Sequence, residues 1–453
     1  MENLQGGGGK RRRVVLVPYP FQGHITPMLQ LGSILHSRGF SVTVAHPQYN
    51  SPPPSSHPEL EFHSLYDGLS GYQLSFQSLL AAIYGMNENC RASLEEYLVQ
   101  LMEEEEKQDI ACIIYDNIMF FVDDVATHLK IPTIVLRPFS ANYLNSLLSI
   151  LQQSDAIFPF QDSSILEPLP DLHPLRFKDL PFPTINNHVI EPVVDFSVRT
   201  NDIRSSVACI WNSVDELEHS ALSKLQQRYK VPFFPIGPFH KRASDSSTSL
   251  LEEDKTCLEW LDRQTPASVL YVSIGSFVKM SEKDLVETAW GLANSDQPFL
   301  WVVRPGSVDG GSDQLPEDFE RVVGDRGRIV KWAPQRSVLS HPAVGGFMSH
   351  CGWNSTLESI FEGVPMICSP VLSDQPVNAR YLTQVWKVGM ELERAERGVI
   401  ETTIRKLMAG DEGREVRKRV VDLKLKLIES CMEKGGSSYQ ALDELVEFIS
   451  SLP

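Results

Sequence analysis

His24 and Asp116 are the residues in the first half of this chain best suited to moving a proton. His24 ends the loop YPFQGH, beside Gly23, where the apolar run Val14–Pro18 gives way to helical spacing. The start of a helix disfavours imidazolium, so a neutral, proton-accepting ring is expected near pH 7. Asp116 follows the apolar run IACIIY and can accept the second ring N–H, as in pairs that orient a general base. Read alone, each side chain could equally cap the helix that follows it.

A second cluster fills the stretch from Trp332 to Gln375, WAPQRSVLSHPAVGGFMSHCGWNSTLESIFEGVPMICSPVLSDQ. Trp332 follows an apolar strand and precedes Pro334. At the carboxyl end of a strand an indole face can stack on a nucleobase, for about 1–3 kcal/mol. A core tryptophan would read the same way. His350 opens HCGWNS at the next strand-to-helix turn. Gly352 lets backbone approach a ligand closely, and a helix starting near Asn354 offers free N–H groups and a positive dipole end to a diphosphate. Ser355 and Glu358 also match a capping box, and Gly363 with Pro365 looks like an ordinary helix stop. From the residues alone, Glu358 stays open between capping a helix and holding a ribose. Asp374 and Gln375 follow a further strand, and a carboxylate with an amide matches the donors and acceptors of vicinal sugar hydroxyls. Together these are parts for holding a nucleotide-activated sugar.

Both clusters need strand ends to carry them. At 453 residues the chain is long for one core, so two domains are expected. In the first, residues 14–240, the strands Val14–Pro18, Phe40–Ala45, Ile110–Tyr115 and Pro132–Leu136, with a helix over Ile25–His36, predict a doubly wound parallel sheet. The Pro-rich segment 155–200 is irregular and should line or cover a pocket. Residues 241–255, Ser-rich and charged, read as a linker. Strands resume at Val269–Ile274, Phe299–Val303, Ile329–Trp332, Ala343–Met348 and Met366–Cys368, giving a second Rossmann-like domain over 256–436. Residues 437–453 form a terminal helix whose apolar stripe should dock back on the first domain. Residues 1–13 read as a flexible tail: no strand precedes the glycines, and Arg11 stands where a phosphate loop needs Ser or Thr.

A net charge of −17 argues against nucleic acid or an anionic membrane as partner. The seven cysteines are at no metal-ligand spacing and are expected to be reduced thiols of a cytoplasmic protein. The N-terminus lacks an apolar signal region and no apolar run is long enough to cross a bilayer, so integral membrane association is not expected. No G-x-G-x-x-G follows a strand, which weakens a NAD-dependent oxidoreductase, and no G-x-S-x-G supports a serine hydrolase. A nucleotide-sugar binder without turnover is weakened by the presence of both His24 and Asp116.

The stretch Trp332–Gln375 resembles, without gaps, the C-terminal signature of plant family-1 UDP-glycosyltransferases, and the rest of the chain follows that family's order. The resemblance implies a GT-B fold: α/β, two Rossmann-like doubly wound domains facing a cleft. It implies inverting, metal-independent transfer, with His24 as general base oriented by Asp116. It further implies that Trp332 stacks on uracil while the Ala333 backbone pairs with the base edge. Gln335 and Glu358 would hold the ribose. His350, Asn354 and Ser355, with Gly352, Ser276 and Gly23 close by, would bind the diphosphate. Trp353, Asp374 and Gln375 would hold the sugar. In that family a final Gln goes with glucose, and Arg in place of Trp353 with glucuronic acid, so UDP-glucose is the expected donor. It is a substrate; no cofactor and no metal are expected, in keeping with the lack of a D-x-D motif. A small-molecule acceptor and a monomeric state complete the expectation.

One departure from the family lies after Leu136, where RPFS replaces a hydroxyl-rich turn, leaving Ser140 as the substitute sugar contact. The acceptor pocket is expected from Phe21, Tyr84, Phe120, Phe121, Phe139, Tyr143 and residues 180–200. That lining suits a flat or terpenoid apolar molecule with one hydroxyl or carboxyl. The loop PYPFQGHITP resembles a subgroup acting on hormones, flavonoids, diterpenoids and benzoxazinoids.

Overall fold

Strands that are apolar on both faces need cover on both sides, which a parallel sheet flanked by helices supplies. The computed structural model describes residues 12–71, 78–103, 109–152, 166–169, 172–180, 187–203, 205–309 and 313–453. Its first sheet has the strand order β3-β2-β1-β4-β5-β6-β7. The strands are β1 (Arg13–Val17), β2 (Ser41–Pro47), β3 (Glu61–Leu65), β4 (Ile110–Asp116), β5 (Thr133–Arg137), β6 (Ala208–Trp211) and β7 (Phe233–Pro235). The second sheet has the order β10-β9-β8-β11-β12-β13. It comprises β8 (Val269–Ser273), β9 (Phe299–Val302), β10 (Gly327–Val330), β11 (Val344–Ser349), β12 (Met366–Cys368) and β13 (Gly389–Glu391). Every neighbouring pair is parallel. Each order reverses once, between β1 and β4 and between β8 and β11, and such reversals open the crevice where α/β sheets bind ligands.

Alternate residues of β1 point to opposite layers of the first core. Val15 and Val17 meet Met86, Leu94 and Leu144 on one side. Val14 and Leu16 meet Met28, Leu31 and Leu35 of the helix Gln22–Ser37 on the other. The terminal helix Ser437–Ser451 completes that second layer through Ala441, Leu442, Leu445 and Ile449. Each of its larger apolar side chains contributes about 1.5–3 kcal/mol by leaving water. The Arg12 guanidinium ties the helix end down by donating to the carbonyl of Leu452 at 2.7 Å. The second sheet is likewise clad on both faces, with Phe347 and Leu357 in one layer and Leu292 and Ile404 in the other.

Several contacts join the two halves directly. The Trp353 indole donates to the carbonyl of Asn212 at 2.7 Å, Arg380 donates to that of Pro174 at 2.9 Å, and Arg176 pairs with Glu391 at 2.9 Å. Several expected boundaries shift: the first helix begins at Gln22 rather than Ile25, so His24 lies in its first turn rather than at a loop end. β10 ends at Val330, which leaves Trp332 two residues beyond the sheet, and the helix expected near Asn354 begins at Trp353. Much of the segment 155–200, namely 155–165, 170–171 and 181–186, lies outside the described residues.

Candidate active site

The carboxyl ends of both sheets face one cleft of about 1160 Å³. β1 delivers the turn containing Phe21, Gln22, Gly23 and His24, and β4 ends on Asp116. His24 Nδ1 lies 2.7 Å from Asp116 Oδ2, and the other carboxylate oxygen accepts from the amide of Ile118 at 3.0 Å. Asp116 is fully buried, whereas His24 keeps 24% of its side chain open to the cleft. One sequence expectation is reversed here. Burial lowers the His24 pKa, but the charge and hydrogen bond of Asp116, joined by the charge of Asp374, outweigh it and raise the net value above 6.5. The charge of Asp116, with a smaller share from Asp374, outweighs burial in this titration.

Opposite His24, the ring of His350 is wedged between two glycines. A Cβ on Gly275 would fall 2.6 Å from the ring, and one on Gly352 2.5 Å from Nε2. Burial pushes the His350 pKa down to about 4. Its Nδ1 is enclosed with no hydrogen-bond partner among the described residues, so a neutral ring offers its single N–H best from Nε2. The helix Trp353–Glu362 starts beside it with Gly352 as N-cap and no side-chain cap, which leaves first-turn amides free to meet an anion. The capping-box reading of Ser355 and Glu358 is thereby set aside. Both lie inside the helix, and Gln335 Nε2 donates to each, at 2.9 Å and 2.7 Å. Burial raises the Glu358 pKa to about 7.

Trp332, Ala333 and Ser276 line the same cleft. Trp353 lines it too, but its indole N–H is spent on Asn212, so its backbone amide is the donor it presents. Gln375 fixes its Oε1 with the amides of Val371 and Leu372 at 3.0 Å and 3.1 Å, leaving Nε2 as the free end. Asp374 accepts from Asn378 at 2.8 Å, and burial lifts its pKa to about 6.

On the side of the first sheet, Phe21, Phe139 and Tyr143 line the cleft with Tyr19, Ile83, Val193 and Phe196. Three acceptor candidates are corrected. Phe121 is fully buried, because the helix Phe121–Leu129 turns that face toward the sheet. Tyr84 and Phe120 flank a separate pocket of about 360 Å³ with Arg199, whose guanidinium sits 4.5 Å from the Phe120 ring centroid. Ser140 is also withdrawn from sugar contact. Its hydroxyl donates to the buried Glu218, which accepts from the amides of Ala141 and Asn142 as well.

The sequence reading took residues 241–255 as a linker and missed the role of the stretch from Ala243 to Glu253 in the cleft. Besides connecting the halves, it forms a wall of the cleft through Asp245, Ser246, Ser247, Thr248 and Ser249. The signal was available in Gln22, a long polar side chain one residue before Gly23, which the reading left without a role. Among the described residues, no group of three or more His, Cys, Asp or Glu could hold a metal, and no helix is long and apolar enough to cross a membrane.

Comparison with known proteins points to one family. The family model described as UDP-glucoronosyl and UDP-glucosyl transferase matches residues 61–415. The chain is 64% identical over 447 residues to UDP-glycosyltransferase 76E1 of Solanum lycopersicum, covering 98% of this chain and 94% of that protein. It is 44% identical to flavonol 3-O-glucosyltransferase UGT76E12 of Arabidopsis thaliana, with 98% of each covered. Among solved structures, TcCGT1 in complex with UDP superposes with a TM-score of 0.83 at 28% identity, covering 98% of this chain and 100% of that one. Phytolacca americana UGT2, complexed with UDP-2fluoro-glucose and pterostilbene, gives 0.80 at 29%, with 98% and 100% covered.

Proposed function

This chain belongs to the plant UDP-glycosyltransferase family and is a glycosyltransferase of GT-B fold, and we propose that it moves glucose from UDP-glucose to a hydroxyl or carboxyl of a small, largely apolar plant metabolite. The observation that carries the proposal is the shared cleft. His24, held by Asp116 at 2.7 Å, and the cradle built on His350, Gly352 and the helix Trp353–Glu362 face the same space.

In the proposed reaction the uracil stacks on Trp332 and pairs with the Ala333 backbone, and Gln335 and Glu358 hold the ribose. The diphosphate meets the first-turn amides at Asn354 and Ser355, Ser276, and the Nε2–H of His350. Asp374, the Gln375 amide and the Trp353 backbone hold the glucose. His24 Nε2 removes the acceptor proton as the acceptor oxygen attacks the anomeric carbon. The bond from that carbon to the phosphate oxygen breaks, and UDP leaves with the electron pair. A single displacement turns the α-linked donor into a β-glucoside. Asp116 keeps the Nδ1–H tautomer and stabilises the imidazolium that forms. Preorganised donors at the helix start stabilise the leaving charge without rearranging, the most effective form of electrostatic catalysis. The absence of a D-x-D motif supports a metal-independent reaction.

The apolar wall of Phe21, Ile83, Phe139, Val193 and Phe196 supports flavonoid, terpenoid, hormone or benzoxazinoid acceptors. The flavonol activity in a relative's name makes flavonols the first to try. The seven cysteines are all buried free thiols, which supports a cytoplasmic setting. The test is a panel of such aglycones incubated with UDP-glucose and read by mass. A hexose adduct is expected on at least one, and a panel without adducts under conditions where UDP binds would refute turnover.

A further inference from the structure

We propose that Gln22 is a positioning residue for the transfer, coupling the base-stacking tryptophan of one domain to the turn that carries His24 in the other; the proposal rests on Trp332 being the nucleobase platform. Three consecutive residues of the wall make the connection. Gln22 Nε2 donates to the carbonyl of Thr248 at 2.8 Å, and the amide of Leu250 donates back to Gln22 Oε1 at 2.7 Å. Between them, Ser249 accepts from the Trp332 indole N–H at 2.7 Å. The segment 248–250 is thus held on one side by a carboxamide two residues before His24 and on the other by the indole.

The chemistry of the clamp is specific to glutamine. It needs one donor and one acceptor on a side chain long enough to reach two backbone groups two residues apart. Glutamate supplies no donor for the Thr248 carbonyl, and alanine supplies nothing. The carboxamide is braced in turn, because its Nε2 also donates to Thr26 Oγ1 at 2.6 Å, and the Thr248 hydroxyl donates to the same oxygen at 3.2 Å. Other bonds hold the segment from both domains: His57 Nε2 lies 3.1 Å from the Ser247 carbonyl, and Arg336 donates to Asp245 Oδ1 at 3.4 Å. Leu250 packs into the layer beneath the helix Gln22–Ser37. A base pressed against Trp332 therefore stiffens a segment whose other edge is fixed to the first turn of that helix. Loss of the clamp frees the segment and lets the His24 turn drift relative to the donor.

A double-mutant cycle on the full-length protein tests this, with UDP affinity by calorimetry and steady-state kinetics with UDP-glucose and quercetin as readouts. Gln22→Ala should weaken UDP and raise the KM for UDP-glucose about tenfold, since two backbone hydrogen bonds are lost. It should also lower kcat while leaving the KM for quercetin and the Tm nearly unchanged. Trp332→Phe keeps a stacking ring but drops the bond to Ser249. Because both act through one segment, the double variant should lose less than the product of the single losses. Ser249→Ala, which removes only the linking hydroxyl, should likewise erase the coupling. Multiplicative losses, or a Gln22→Ala protein that binds UDP as the wild type does, would overturn the proposal. The UDP arm needs no turnover, so a wild type inactive on quercetin would count against a flavonol acceptor and leave the clamp decided on its own.

Discussion

The carboxamide of Asn354 donates to the backbone carbonyl of Gly23 at 2.8 Å, across 331 positions of sequence. The helix start proposed to hold the diphosphate therefore touches the residue next to the proposed base. Asn212 supports the contact by donating to Asn354 Oδ1 at 3.2 Å. Exchanging the amide for a carboxylate, Asn354→Asp, sets a negative charge against both the Gly23 carbonyl and the diphosphate. UDP affinity should fall by about tenfold or more, and kcat with it, as read by calorimetry and initial rates.

The pH profile follows from the carboxylates around His24. The general base must be unprotonated, and its pKa in the free protein lies above 6.5. The kcat/KM for transfer should therefore rise with pH through an inflection above that value. Asp116→Asn removes both the charge and the charged hydrogen bond that raise the pKa. The inflection should move to lower pH, while kcat falls about a hundredfold or more because the ring loses its orientation. An inflection that stays in place would separate Asp116 from the base.

Glu358 makes a prediction about binding alone. Its pKa of about 7 in the free protein means that half the carboxyls are protonated at that pH. Ribose hydroxyls donate best to the ionised form, so binding lowers the pKa and releases a proton. UDP affinity should then increase as pH rises from 6 to 8 and level off above. Glu358→Gln should flatten that increase; the ionisation of UDP itself is common to both proteins and drops out of the comparison.

Gly275 tests the wedge around His350. It sits at φ +84°, and a Cβ there would meet the ring at 2.6 Å. Gly275→Ala costs about 1–2 kcal/mol in backbone conformation alone, and the ring must also move. The variant should fold, lose UDP affinity about tenfold, and leave the apolar acceptor wall untouched. Calorimetry with UDP reads the first effect, and tryptophan fluorescence the integrity of the fold.

Much of this arrangement was legible in the sequence because strand ends of parallel sheets point one way. Once β1, β4, β8 and β11 are recognised by their apolar runs, His24, Asp116, Gly275 and His350 must gather at two neighbouring crevices. What escaped the reading has no local pattern. The Ser-rich segment 243–253 resembles any linker, because its hydrogen bonds go to Gln22, Thr26, His57 and Trp332, far away in sequence. Phe120 and Phe121 are adjacent aromatics, and only the orientation of their helix decides which one is buried. Ser355 and Glu358 share one helix face, so the spacing that suits a capping box suits a bond to Gln335 just as well. Part of the upward pull on the His24 pKa comes from Asp374, far away in sequence, and no reading of the first turn alone could have found it.

The central claim is that one imidazole takes the proton from an acceptor facing bound UDP-glucose. The most direct measurement compares hexose transfer to quercetin by wild type and His24→Ala at equal UDP occupancy. The account predicts that the variant binds UDP within about twofold of wild type while its transfer rate falls at least about a hundredfold. A variant that still transfers hexose at a rate comparable to wild type would contradict it.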